Sequence, residues 1–237
     1  MAQIRISAKD LGAFALPGFC PRCTWLKLHS ANKLPFQIFP GIFSSIDSYT
    51  KKFISSHFEK YGNFPEWLGS SDEFVSLVKK LHHSNFNTLD ESNDILLTGV
   101  PDEIFALKDG SYNILDYKTA KYTATQDTLL PLYEVQLNAY AYIAERTGLS
   151  PVKKIALAYL EPQTGLTCEN VEQFKTGDGF VLPFAGKILE LELKPEIIPG
   201  YLKKVRQLFD QPSPPQSKNE CKDCLLLENL FKILTLK

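Results

Sequence analysis

The stretch that most constrains this chain is 99–119, where two short apolar runs flank the dipeptide Asp109-Gly110. Both turn residues tolerate the positive backbone angles of a tight hairpin, so Ile104-Phe105-Ala106-Leu107 and Tyr112-Asn113-Ile114-Leu115 are predicted to pair antiparallel. Side chains alternate along a strand, which puts Asp116 and Lys118 on one face at the end of the second strand and Tyr117 on the other. Once the hairpin folds, Asp102 comes level with Asp116. Two carboxylates and an ammonium are therefore expected to converge.

Carboxylates held close together repel, and a divalent cation relieves the repulsion. Magnesium suits the task because it takes oxygen ligands and keeps several waters. Beside a lysine, such a cation fits phosphodiester hydrolysis: the metal polarises the phosphoryl oxygens and activates water, while the lysine orients that water or offsets developing charge. The alternative for the same three residues is solvation at the ends of two strands.

Residues 133–146 follow with helical periodicity, closed by Gly148 just past the end. Tyr133, Gln136, Leu137, Tyr140, Ala141 and Ala144 share one face, which is apolar enough to pack on a sheet. Gln136 and Tyr140 stand one turn apart on it and need polar partners, either within the core or in a ligand.

Taken in order, Gly99-x-x-Asp102-x-Ile104, then Ile114-Leu115-Asp116-Tyr117-Lys118-Thr119, then Gln136-Leu137-x-x-Tyr140, the chain resembles the RecB-type branch of the PD-(D/E)XK nuclease superfamily. The resemblance implies a restriction-endonuclease-like α/β fold, a mixed central sheet flanked by helices. It also implies magnesium or manganese on Asp102, Asp116 and the backbone carbonyl of Tyr117, with catalysis by Lys118 and substrate positioning by Gln136 and Tyr140. Relatives often add a ligand from the helix before the sheet, and Asp47 is the candidate by its place in the chain.

Four of the five cysteines form two C-x-x-C pairs, Cys20 with Cys23 and Cys221 with Cys224, and Cys168 stands alone. Two such pairs supply four thiolates to one tetrahedral metal or to an iron–sulfur cluster, and a metal there would clasp the two ends of the chain. Several RecB-like nucleases, including CRISPR-associated ones, carry a [4Fe-4S] cluster on cysteines that flank the core, commonly one before and three after rather than two and two. No glycine of the zinc-ribbon kind follows either pair, which favours iron and sulfur over zinc.

The remainder reads as ordinary globular protein. Of 237 residues, 44% are hydrophobic and 22% charged, which gives one domain with a nuclease-like core at about 41–209 and the cysteine clasp outside it. Neither a membrane-spanning run nor a signal-peptide core is present, so a cytoplasmic location is expected. The 26 basic and 27 acidic side chains leave a formal charge of -1, so phosphate contacts would have to come from clusters such as Lys51-Lys52, Lys79-Lys80, Lys153-Lys154 and Lys203-Lys204-Val205-Arg206. Amphipathic helices are predicted over 41–61, packed against the sheet, and over 71–82, ending near His82-His83. Strands are predicted near 154–160, 166–175 and 179–193, and a last core helix from Pro195 to Phe209.

The functional expectation is a metal-dependent DNase, acting as an exonuclease in repair, recombination or defence, with single- or double-stranded DNA as substrate. A helicase or a CRISPR or repair protein is the partner that the resemblance implies. The competing reading is a non-catalytic nucleic-acid-binding or scaffold module that keeps the fold. A zinc-ribbon-like adaptor accounts for the ends of the chain but not its middle.

Overall fold

The computed structural model describes residues 3–30, 40–68, 74–78, 84–122 and 128–235. In chain order the elements are β1 (Ile4–Ser7), α1 (Ala8–Gly12), α2 (Pro21–His29), α3 (Gly41–Tyr61), β2 (Phe74–Leu77), β3 (Asn87–Asp90), β4 (Ile95–Thr98), β5 (Glu103–Leu107) and β6 (Tyr112–Lys118). Then come α4 (Leu130–Arg146), β7 (Val152–Pro162), β8 (Lys175–Thr176), β9 (Gly179–Phe180), β10 (Phe184–Leu191), α5 (Ile198–Phe209) and α6 (Lys222–Thr235). None of the described helices is long and apolar enough to cross a membrane.

The main sheet has the order β10-β7-β6-β5-β2, and the pair β6–β7 within it is parallel while its other pairs are antiparallel. The predicted hairpin is present as β5–β6, in the register Glu103↔Leu115 and Ile104↔Ile114. Gly110 takes φ +83° in its turn, where a side chain would be strained, and the Leu107 N–H donates to the Ser111 carbonyl at 2.9 Å. A parallel neighbour for β6 requires a long crossover, and α4 supplies it on the way to β7.

Alternation along β6 divides the core in two. Ile114 faces α4 and α5, where Ile155, Leu157, Leu137, Tyr140, Ala141, Leu202 and Val205 are all buried. Leu115 and Tyr117 face the other way, against Ile54 of α3, Phe64, Leu68, Phe105, Ala158 and Leu160. A smaller sheet, β1-β4-β3, joins the first of these cores through Ile4, Ile6, Ile95 and Leu97. Burying side chains of this size contributes roughly 1.5–3 kcal/mol each, so the two faces of β6 hold the hairpin rigidly in place.

Four expectations are corrected. The stretch predicted as a helix over 71–82 contains β2, which pairs with β5 at the sheet edge; Phe74 is held there by Phe64 and Phe105, with ring centroids 5.4 and 4.9 Å away. Packing thus outweighs a weak helical pattern, and His82 and His83 lie outside the described residues. The strand expected near 166–175 does not extend the sheet: a short 3₁₀ turn and the two-residue ladder β8–β9 stand there instead. From 179–193, only β10 joins the sheet. Helix α3 buries just Thr50 and Ile54, leaving Phe43 and Phe53 exposed, so it touches the sheet along a narrower stripe than its sequence suggests.

The basic clusters divide as well. Arg206 is buried in α5 and donates to the carbonyls of Asn93 and Asp94 in the β3–β4 turn, at 2.6 and 3.0 Å. Lys153 and Lys154 pair with Asp109 and Glu190. Lys79 and Lys80 lie outside the described residues.

Candidate active site and metal centre

The hairpin brings the expected acids together. Glu103 pairs with Leu115, so Asp102 lies one step beyond the ladder, and its Oδ2 accepts from the Tyr117 N–H at 2.7 Å. That bond ties the chain entering β5 to the end of β6. Asp116 is buried on the α4 side and makes a close ion pair with Lys118. The Lys118 ammonium lies 3.5 Å from Gln136 Oε1 and 4.2 Å from the centre of the Tyr133 ring. Gln136 in turn donates to the Tyr140 hydroxyl at 2.7 Å, and both side chains are buried.

Gly99 makes this packing possible. A Cβ on residue 99 would lie 2.6 Å from Tyr140 Cε1 and 3.2 Å from the Cβ of Ala8, so the chain leading to Asp102 runs directly against the Tyr140 ring. The glycine of the sequence motif is explained by close approach rather than by an unusual backbone angle.

Asp47 reaches the same site from α3, indirectly. The Lys51 ammonium bridges it to Asp102, 2.7 Å from Asp47 Oδ2 and 2.7 Å from Asp102 Oδ1. Burial alone would lower the Lys51 pKa, but the two carboxylates outweigh burial and raise it. At Asp116, burial pushes the carboxyl up to about 6; the Asp102 charge adds to the rise, and Lys118 and Lys51 oppose it. Burial, reinforced by Asp116, also holds the Tyr140 phenol protonated well beyond its ordinary range.

At the other centre, the four paired cysteines meet. Cys20 begins the turn into α2, Cys23 lies in its first turn, and Cys221 and Cys224 occupy the same places at the start of α6. Sγ–Sγ distances are 3.7 Å for Cys20–Cys224, 3.5 Å for Cys23–Cys221 and 3.4 Å for Cys23–Cys224, and all four sulfurs lie within 4.8 Å of one another. Burial opposes ionisation of Cys20, yet the backbone N–H groups of Cys23 and Lys218 prevail and bring that thiol down to about 7. Burial raises Cys224 to about 11 and Cys23 further still. Around the cluster, Arg22 binds the Pro215 carbonyl at 3.0 Å and Glu228 at 2.7 Å, locking α2 to α6. Cys168 is exposed and separate.

The family model for the PD-(D/E)XK nuclease superfamily matches residues 33–228. The chain belongs to that superfamily. Among solved structures, SSO0001 matches with 14% identity and a TM-score of 0.42, over 90% of this chain and 80% of that one. No curated protein gives a significant match. PD-(D/E)XK nucleases use divalent metals, and the carboxylates here suit a hard cation: two from the hairpin and a third on α3. The family match takes in Asp102, Asp116, Lys118, Gln136, Tyr140, Cys221 and Cys224, while Cys20 and Cys23 precede it.

Lys51 joins this cluster although it stands outside the motifs that the sequence singles out. The sequence offers it only as half of a Lys51-Lys52 pair, although the Asp47-x-x-x-Lys51 spacing stacks acid and base on one face of α3.

Proposed function

We propose that this protein is a magnesium- or manganese-dependent deoxyribonuclease of RecB-like type, cutting as an exonuclease in DNA repair, recombination or defence, in the cytoplasm. The observation that carries the reading is the meeting of Asp102, Asp116 and Lys118 at the end of the β5–β6 hairpin, with Gln136 and Tyr140 of α4 closing the same face.

In this reading, Asp102, Asp116 and the Tyr117 carbonyl would hold the metal, with Asp47 as a further candidate ligand. The ion supplies Lewis-acid stabilisation of the charge that builds on the scissile phosphate. Lys118 is held by Asp116, Gln136 and the Tyr133 ring so that its ammonium orients the attacking water or offsets that charge. Gln136 fixes the tilt of Lys118, and the protonated Tyr140 hydroxyl anchors Gln136. Substrate contacts then come from groups at the rim of the hairpin and α4, with a helicase or a CRISPR or repair protein delivering the DNA end.

The test is cleavage of end-labelled single- and double-stranded DNA with magnesium, manganese or chelator. Cation-dependent cleavage should fall by about 10²-fold or more in both Asp116→Ala and Lys118→Ala. Mononucleotides or short oligomers released from one end would establish trimming. Tight DNA binding by folded protein, with no cleavage under any cation, would instead assign the fold to a non-catalytic binding module.

A further inference from the structure

We infer that the four-cysteine centre holds a single zinc ion rather than an iron–sulfur cluster. The sulfur positions carry the argument. A tetrahedral ion with metal–sulfur bonds of about 2.3 Å sets its thiolates about 3.8 Å apart along each edge. The Sγ atoms here stand 3.4, 3.5 and 3.7 Å apart at three edges, and none of the remaining edges exceeds 4.8 Å. One ion at the centre satisfies all four.

A cubane fails on the same distances. Each cysteine then sits on its own iron. With the same bond length pointing outward from each corner, the sulfur tetrahedron is larger along every edge than the iron tetrahedron by about 3.8 Å. Sulfurs within 4.8 Å would leave the irons only about 1 Å apart, closer than any pair of bonded metal atoms. Opening the cluster would require pulling α2 away from α6, against the bonds from Arg22 to Pro215 and Glu228.

The surroundings agree with a closed structural site. Four thiolates fill a tetrahedral zinc and leave no open position for substrate, so the ion takes no part in hydrolysis. The Lys218 N–H donates to Cys20 Sγ at 3.4 Å, as outer partners do when they offset charge on a zinc-bound thiolate. Zinc has no redox chemistry, so the clasp is insensitive to cellular reduction potential in a way that an iron–sulfur cluster is not.

The experiment reads metal content and coordination, not cleavage, and so stands or falls apart from the nuclease reading. Full-length protein is produced in medium containing both iron and zinc, purified without oxygen, and assayed for zinc, iron and acid-labile sulfide beside its visible spectrum. X-ray absorption is recorded at the edge of whichever metal is bound. The expected result is about one zinc per chain, negligible sulfide, and a sulfur shell at about 2.3 Å with no metal–metal shell. Cobalt added to metal-free protein should give the intense visible bands of a tetrahedral thiolate site, weakened in Cys23→Ser. Iron with matching sulfide and a metal–metal shell would overturn the inference, as would protein that neither carries nor takes up zinc. The measurements on the unaltered chain decide the matter even if Cys23→Ser does not fold.

Discussion

At Asp116, one carboxyl records the tension on which the site is built. Burial raises its pKa from 3.8 to about 6, despite the Lys118 ion pair. Ionising it therefore costs the folded state: the cost is absent below pH 3.8, grows as the pH rises, and is complete above about 6. Asp116→Asn should raise the melting temperature in chelator well above pH 6 by about 4–8 °C, on the order of 2 kcal/mol, and the gain should vanish below pH 3.8. Magnesium should stabilise the unaltered protein and not the variant, and its effect should weaken as the pH falls through 6, because the proton and the cation compete for the same oxygens. Lys51 competes too, since its ammonium lies 2.7 Å from Asp102. Lys51→Met should lower the magnesium concentration that gives half-maximal thermal stabilisation. Asp102, Asp116, Lys118, Gln136 and Tyr140 were legible because an alternating strand and a helical period fix which side chains share a face. Lys51 was not, because nothing local shows that α3 lies along the hairpin.

Elements meet here at points where only glycine fits. Gly12 of α1 sits against α4, and a Cβ there would come within 2.4 Å of the Leu132 carbonyl oxygen, which is backbone and cannot turn aside. Gly12→Ala should cost about 1–3 kcal/mol, read as a lower denaturation midpoint, while cleavage per folded molecule is preserved. Gly99→Ala presses instead on the Tyr140 ring and through it on Gln136 and Lys118. There the expected outcome is the reverse emphasis: a greater loss in cleavage rate than in stability. The β5–β6 hairpin, α4, β7 and α5 could be read from the sequence because turn chemistry and periodicity agree in each. The edge strand β2 could not, since four residues stacked by Phe64 and Phe105 carry too little pattern of their own. Nor could α6, whose amphipathic face becomes meaningful only once Cys224 is buried against Cys20 and Cys23.

Across the whole molecule, the cysteine centre joins residues 198 positions apart, from Cys23 to Cys221. Closing so long a loop removes much of the freedom of the unfolded chain, and the binding energy of the metal becomes folding energy. Metal removal should therefore lower the melting temperature and expose the segments around α2 and α6 to protease before the β5–β6 hairpin, an order that hydrogen exchange followed by mass spectrometry would display. The pairing of the two C-x-x-C motifs was visible in the sequence; the sulfur spacing that separates one ion from a cluster was not, because it depends on how closely α2 and α6 pack.

The ring stack beside that centre gives the molecule its own optical gauge. Trp25 lies on His29 at 3.8 Å, His29 lies on Phe209 of α5 at 4.3 Å, and the Trp25 indole N–H donates to the Gln211 carbonyl. The other of the two tryptophans, Trp67, lies against Gly186 of β10. In a Trp67→Phe background, the colour and intensity of emission would report from Trp25 alone, so opening of the ends could be followed in real time without any added label.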